Sequence, residues 1–133
     1  MIIFDTSAVI DSLKDSKEAK SVVEELERNI ESVYTTVISK YELLTPVYNK
    51  GLKVEERAIR AFHRRSVVLS LDQKTAEESS RIMGGLFKPG IPVNPLDTLI
   101  AGIAIATGAD KIATLDKDFI QIAKITDLDI VII

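Results

Sequence analysis

The sequence predicts an α/β fold in which a parallel sheet is covered by helices on both faces. Five short apolar runs, "IIF", "SVYTT", "SVVLSL", "KIATL" and "IVII", are spread along the chain, and helical patterns lie between them. Their β-branched content suits strands. Short apolar strands alternating with helices imply a parallel sheet buried on both sides. The length of 133 residues sets the scale: one domain, residues 1–133, with room for a sizeable core. No repeat, low-complexity tract or linker divides the chain.

Each element has its own signal. "IIF" is a first strand, and the Asp5-Thr6-Ser7 turn after it opens a brief helix. Ala19, Val22, Val23, Leu26 and Ile30 recur at helical spacing among Glu and Lys, which gives an amphipathic helix. After "SVYTT", Val37, Tyr41, Leu44 and Tyr48 form one helical stripe, which Pro46 is expected to kink or restart. Val54, Ala58 and Phe62 carry the next helix, ahead of "SVVLSL". A further helix runs from about Gln73 to Phe87, with Met83, Gly84 and Gly85 expected to interrupt it through close packing on a neighbour. "KPGIPVNP" is the clearest loop, and Pro95 stands where the next helix begins. "LDTLIAGIAIATG" is apolar on nearly every side, so that helix is buried, and Gly108 caps it. "DKDFIQIA" makes a short helix between the last two strands.

Composition removes several classes of function. Without cysteine there is no disulfide, thiolate metal site or cysteine nucleophile. The single histidine, His63, excludes a nuclease that works through two. The longest apolar stretch, Leu99 to Ala106, is too short to span a membrane, and Asp5 interrupts the first apolar run too early for a signal peptide. A cytoplasmic location is the expectation. A formal net charge of −3 argues against coating nucleic acid by charge alone, although not against reaching phosphates through metal ions.

The acids carry the chemistry. Ligands in open α/β sheets bind outside the carboxyl ends of the strands. Asp5 follows the first strand, Asp116 follows the fourth, and Asp97 opens the buried helix before that fourth strand. Glu42 lies on the flank of the stripe after the second strand and can lean toward the same edge. Taken singly, Asp5 and Asp116 suit helix caps, Asp97 suits a helix N-terminus, and Glu42 suits a solvated face. Taken together, four carboxylates at one sheet edge repel unless a cation lies among them, and hard oxygen ligands select magnesium or manganese. Such a site suits displacement at phosphorus. Thr6, Ser39 and Thr114 are hydroxyls beside these acids, placed either to orient them or to cap helices.

These stretches resemble the PIN-domain ribonucleases, especially the VapC-like toxins of toxin–antitoxin pairs. The likeness runs along essentially the whole chain, through "FDTSAVI", "TTVISKYELL", "NPLDTLIAGIAIATGA" and "IATLDKDF". It implies a three-layer α/β/α fold with a parallel five-stranded sheet in the order 3-2-1-4-5 and an acidic pocket at its edge. It also implies Mg- or Mn-dependent cleavage of RNA, a homodimer, and inhibition by a small cognate antitoxin. By motif, Asp5, Glu42, Asp97 and Asp116 resemble the catalytic and metal-binding quartet, with Asp118 as an accessory acid or a cap. Thr6 and Thr114 resemble polar supports of the pocket.

Two other activities fail on the same residues. An aspartyl-phosphate phosphatase requires an acid where Ser7 stands. A phosphorelay receiver requires paired acids after the first strand and a late lysine, which "DTS" and "DIVII" do not supply. The alternative that stays open is a non-catalytic PIN-like module that binds RNA or protein. His63, in "FHRRS", is expected at the surface. Arg57, Arg60, Arg64 and Arg65, with Lys50 and Lys53, form the most basic segment, either a solvated face or a contact for phosphate or antitoxin. The apolar region from "KPGIPVNP" to "GIAIA" is expected to be incompletely covered by one chain, which gives the dimer slight physical support.

Overall fold

The computed structural model describes residues 1–14, 16–29 and 31–133. In chain order its elements are β1 (Ile2–Phe4), α1 (Thr6–Leu13), α2 (Lys17–Arg28), β2 (Tyr34–Thr36), α3 (Val37–Lys50) and α4 (Lys53–Arg65), then β3 (Val67–Leu69), α5 (Gln73–Phe87), α6 (Pro95–Thr107), β4 (Lys111–Thr114), α7 (Asp118–Ala123) and β5 (Asp129–Ile132). The five strands form one sheet in the order β3-β2-β1-β4-β5, and every pairing is parallel. This is the α/β/α fold and strand order that the resemblance implies.

Two apolar clusters fill the two faces of the sheet, and strand alternation divides them. Ile3 and Ile112 are register partners and point into a core with α5, α6 and α7, through residues such as Leu86, Ile103 and Phe119. Phe4 and Ala113, the next pair along, point to the other face, with Val9, Leu43, Ile59 and Phe62 from α1, α3 and α4. Full burial of such side chains stabilises by about 1.5–3 kcal/mol each. From β1 the strand order runs one way through β2 to β3 and the other way through β4 to β5, so the crevice between the ends of β1 and β4 is the switch point where open sheets bind ligands.

Local chemistry fixes the helix that borders this crevice. Asn94 caps α6 by accepting the Leu96 N–H at 3.0 Å, and Pro95 occupies the first turn. Gly108, at φ 77°, ends it in a left-handed conformation that glycine adopts without strain. Residues 100–104 are all buried, whereas Ile91, Val93, Leu96, Leu99, Ile105 and Ala106 of the same region are only partly covered by the chain.

Several expectations from the sequence are corrected. The buried face of α3 is Ile38, Ser39, Leu43 and Val47; Tyr41 and Tyr48 are 64% and 75% exposed. Pro46 does not restart this helix, which runs unbroken from Val37 to Lys50. The proline is exposed, and the anchors Leu43 and Val47 flank it, so the helix tolerates losing one N–H. On α4 the buried residues are Ile59, Phe62 and His63, while Val54 and Ala58 face solvent. His63 is therefore a core residue: only 8% exposed, edge-on to Phe62, with Nδ1 2.8 Å from the Ile59 carbonyl. Helix α5 passes through Met83, Gly84 and Gly85 without interruption. Close packing is present at Gly85, where an added methyl would lie 3.2 Å from Ile125 Cδ1, and is tighter still at Gly102, where it would overlap Ser79 Oγ and lie 2.9 Å from the Thr75 carbonyl oxygen. Of "SVVLSL", only Val67–Leu69 forms strand. Ala19 and Leu26 are buried on α2 as the periodicity requires; Ile30 lies outside the described residues.

Candidate active site

Strand β1 delivers Asp5 to the carboxyl edge of the sheet, where the Asp5 N–H donates to the Ala113 carbonyl at 3.2 Å. Its carboxylate caps α1: Oδ1 accepts the Ala8 N–H at 2.8 Å and the Ser7 hydroxyl at 2.7 Å. Oδ2 accepts the Thr114 hydroxyl at 2.5 Å. Asp5 is only 2% exposed. Burial pushes its pKa up; the bonds from Thr114, Ala8 and Ser7 oppose this, and the Asp116 charge adds to it.

Asp97 stands in the first turn of α6 and is 6% exposed. Its Oδ2 is buried and has no hydrogen-bond partner among the described residues. Burial, then the charge of Asp116 and a hydrogen bond shared with its carboxyl, then the charges of Asp5 and Asp118, push its pKa from the ordinary 3.8 to about 8. The turn after β4 holds the other acids. The Asp116 N–H donates to Thr114 Oγ1 at 2.8 Å, and Asp116 Oδ1 accepts the Asp118 N–H at 2.9 Å. Asp118 Oδ2 accepts the Asn94 N–H at 3.2 Å, which ties this turn to the start of α6. Asp97, Asp116 and Asp118 each offer an oxygen, and those oxygens lie within 4.8 Å of one another.

Glu42 is placed differently. It sits half-buried on α3, and its Oε1 accepts the Thr6 hydroxyl at 2.6 Å. Thr6 Oγ1 is also 3.1 Å from Ser39 Oγ, so these two hydroxyls join Glu42 to the segment that carries Asp5. Glu42 is not one of the three acids whose oxygens converge. Thr114 and Thr6 thus hold Asp5 and Glu42 respectively, and the cap of α3 is Thr36.

Two contacts escape a reading of the sequence. Ser7 supports Asp5 and also accepts the Leu115 N–H at 2.9 Å, 108 residues away. Asn94 both caps α6 and binds Asp118. The Ser7–Leu115 bond depends on the β1–β4 neighbourhood and the Asn94–Asp118 bond on α6 starting beside the turn after β4, and no local pattern signals either. The donor set fits a divalent cation: carboxylate oxygens with no softer ligand among them, and a buried Asp97 oxygen that no protein group satisfies.

The PIN domain family model matches residues 2–125. The chain belongs to the PIN domain family. Among curated proteins none matches the sequence. Solved structures of similar architecture include chains of toxin–antitoxin complexes. A chain of the promoter-DNA-bound VapBC2 complex of Rickettsia felis is similar at a TM-score of 0.86 and 20% identity, covering 100% of this chain and 99% of that one. A chain of the DNA-bound VapBC complex of Salmonella typhimurium is similar at 0.81 and 25% identity, covering 98% and 96%. VapC20 of Mycobacterium tuberculosis, described as a sarcin–ricin loop cleaving toxin, is similar at 0.66 and 14% identity, covering 96% and 98%. No described helix is long and apolar enough to cross a membrane.

Proposed function

We propose that this PIN domain is a metal-dependent endoribonuclease and the toxin component of a toxin–antitoxin pair. The observation that carries the reading is the convergence of Asp97, Asp116 and Asp118, with the orphaned Asp97 oxygen, beside Asp5 at the sheet's switch point. Family membership and likeness to VapBC complexes and to an RNA-loop cleaving toxin support it. On this reading residues 1–133 act as one domain in the cytoplasm, as a homodimer held in check by a small antitoxin. The acids Asp5, Glu42, Asp97 and Asp116 hold Mg2+ or Mn2+ and carry catalysis, with Asp118 as a further ligand.

A divalent cation bound there supplies a water of lowered pKa and offsets charge building on the phosphodiester. The chain's own groups prepare the site. Thr114, Ser7 and the Ala8 N–H fix both oxygens of Asp5 and favour its charged form against burial. Thr6, backed by Ser39, aims Glu42. Asn94 and the Asp116 side chain hold the Asp118 turn, so the acid after β4 cannot swing away from α6. Asp97 keeps a proton until a cation replaces it, which limits repulsion in the metal-free fold.

The test is cleavage of a structured RNA in Mg2+ or Mn2+ and again in excess chelator. Internal cuts are expected only with metal. Equal cleavage in both conditions rules the mechanism out, and no cleavage in either leaves the non-catalytic binding module as the answer.

A further inference from the structure

The basic segment on α4 borders a groove of about 220 Å³ between α3, α4 and β3, lined by Lys40, Arg60 and Arg64 together with Leu44, His63 and Val68. No carboxylate lines it. Arg60 is held in place, by Glu56 at 2.8 Å and by the Tyr48 hydroxyl at 3.1 Å. Among the described residues Lys40 and Arg64 have no carboxylate partner. His63 is more than nine-tenths buried, its Nδ1 is engaged by the Ile59 carbonyl, and its Nε2 has no partner. In a chain of net charge −3, Lys40 and Arg64 place two cations without carboxylate partners, beside the Glu56-paired Arg60, on a groove whose lining holds no carboxylate.

We propose that this groove holds a phosphate of the RNA strand to one side of the acidic site, with Lys40 and Arg64 as the phosphate contacts and Arg60 as the fixed edge. The inference rests on the proposed ribonuclease reading. Helix α3 links the two places: Lys40 stands next to Ser39, which meets Thr6, and two residues before Glu42. A converging set of acids repels the polyanion it must approach, so a strand needs cationic purchase nearby. Tyr41 and Tyr48 expose most of their surface on the outer side of the same helix, and aromatic faces beside a basic groove suit unstacked bases. An acidic peptide satisfies the cations equally well and makes no use of those rings, which is why RNA is favoured.

The experiment measures binding of a labelled single-stranded RNA oligonucleotide to the intact protein in chelator, over a range of salt. Lys40→Gln and Arg64→Gln, both at exposed positions, are each expected to weaken binding several-fold and to flatten the salt slope by about 0.7. Arg57→Gln, a cation on α4 that does not line the groove, is expected to leave both unchanged. Cleavage activity is scored separately: wild-type protein that binds RNA but does not cut it defeats the ribonuclease reading and leaves the groove standing if the two variants still lose affinity. Variants that bind RNA as wild type does, or an Arg57→Gln loss equal to theirs, overturn the groove. So does an unchanged RNA affinity accompanied by lost binding of polyglutamate, which identifies the groove as a protein contact.

Discussion

Helices α6 and α3 each bring one acid toward the crevice, and they do so by opposite means. Around Asp97 the chain packs Ile100, Ala101, Gly102, Ile103 and Ala104 out of water, and α5 approaches so closely that only glycine fits at 102. Asp97 is therefore positioned by the bulk of the fold and stands in surroundings hostile to its charge. Helix α3 has a narrow buried face, with Tyr41, Thr45 and Tyr48 in solvent, and Glu42 rides on the margin. One hydroxyl, that of Thr6, aims it. Burial gives placement that survives small changes but makes the charge costly; a hydrogen bond gives placement that a single atom can undo.

The largest effect is expected at Asp97. Asp97→Asn keeps the shape and removes the charge, so cleavage is expected to fall to background. In chelator at pH 8 the variant is expected to melt higher than wild type, by about 3–5 °C for each kcal/mol of relieved repulsion, and to gain less from added magnesium. The pH dependence follows in sign. Asp97 stays protonated to about pH 8 in the folded chain and only to about 4 in the unfolded one. The metal-free fold therefore loses stability as pH rises between those values, and the variant lacks that part of the slope. Thermal melts from pH 5 to 9 make the comparison. A variant that melts lower in chelator and still gains fully from magnesium returns Asp97 to the role of a helix-start charge.

Next in size is Thr6→Val, which removes the one bond aiming Glu42 while keeping the side chain's volume. Supporting partners of ligands are worth about 10–100-fold in metal affinity or activity, and a loss in that range is expected with the melting temperature in chelator nearly unchanged. Manganese titration alongside cleavage rates reads both. If activity stays at wild type, Glu42 is held by something other than Thr6.

The smallest effects concern packing alone. Gly102→Ala forces a methyl against Ser79 and the backbone of α5 and is expected to cost about 1–3 kcal/mol. Gly84→Ala, on α5 where a methyl meets nothing, is expected to stabilise by about 0.5–1 kcal/mol. Chemical denaturation of the two variants separates them; equal effects deny that α6 is the tighter-packed helix.

The same contrast explains what a sequence can disclose. Around α6 nearly every residue is apolar, so burial needs no choice of face, and the Pro95 and Gly108 boundaries stand out as they should. On α3 two apolar stripes compete. Of the evenly spaced Val37, Tyr41, Leu44 and Tyr48, Val37 and Leu44 pack against the core while both tyrosines are exposed, and Ile38, Leu43 and Val47 are the buried anchors. His63 misleads for a related reason: flanking arginines suggest solvent, while its own position continues the Ile59–Phe62 face. Of the acids, Asp5, Asp97 and Asp116 were legible because strand ends and helix starts mark them. The supporting hydroxyls of Thr6 and Thr114 are marked too, by their places beside Asp5 and Asp116, whereas Ser7 and Asn94 are not. Ser7 meets Leu115 across 108 residues because β1 and β4 are neighbours in the sheet, and Asn94 meets Asp118 across 24 residues where α6 starts beside the turn after β4.

That strand order also sets a sequence of events during synthesis. Strand β1 pairs on one side with β2 and on the other with β4, whose first partner residue, Lys111, lies far along the chain from Ile2. A growing polypeptide displays Asp5 and Glu42 early, but Thr114, Asp116 and Asp118 do not exist until most of the protein has been made. Until then one edge of β1 stands open and Asp5 lacks the hydroxyl that secures its second oxygen. Such distant pairing is entropically slow to form, so the crevice is among the last things the molecule acquires. A chain of this topology therefore completes its acidic crevice only when synthesis is nearly finished.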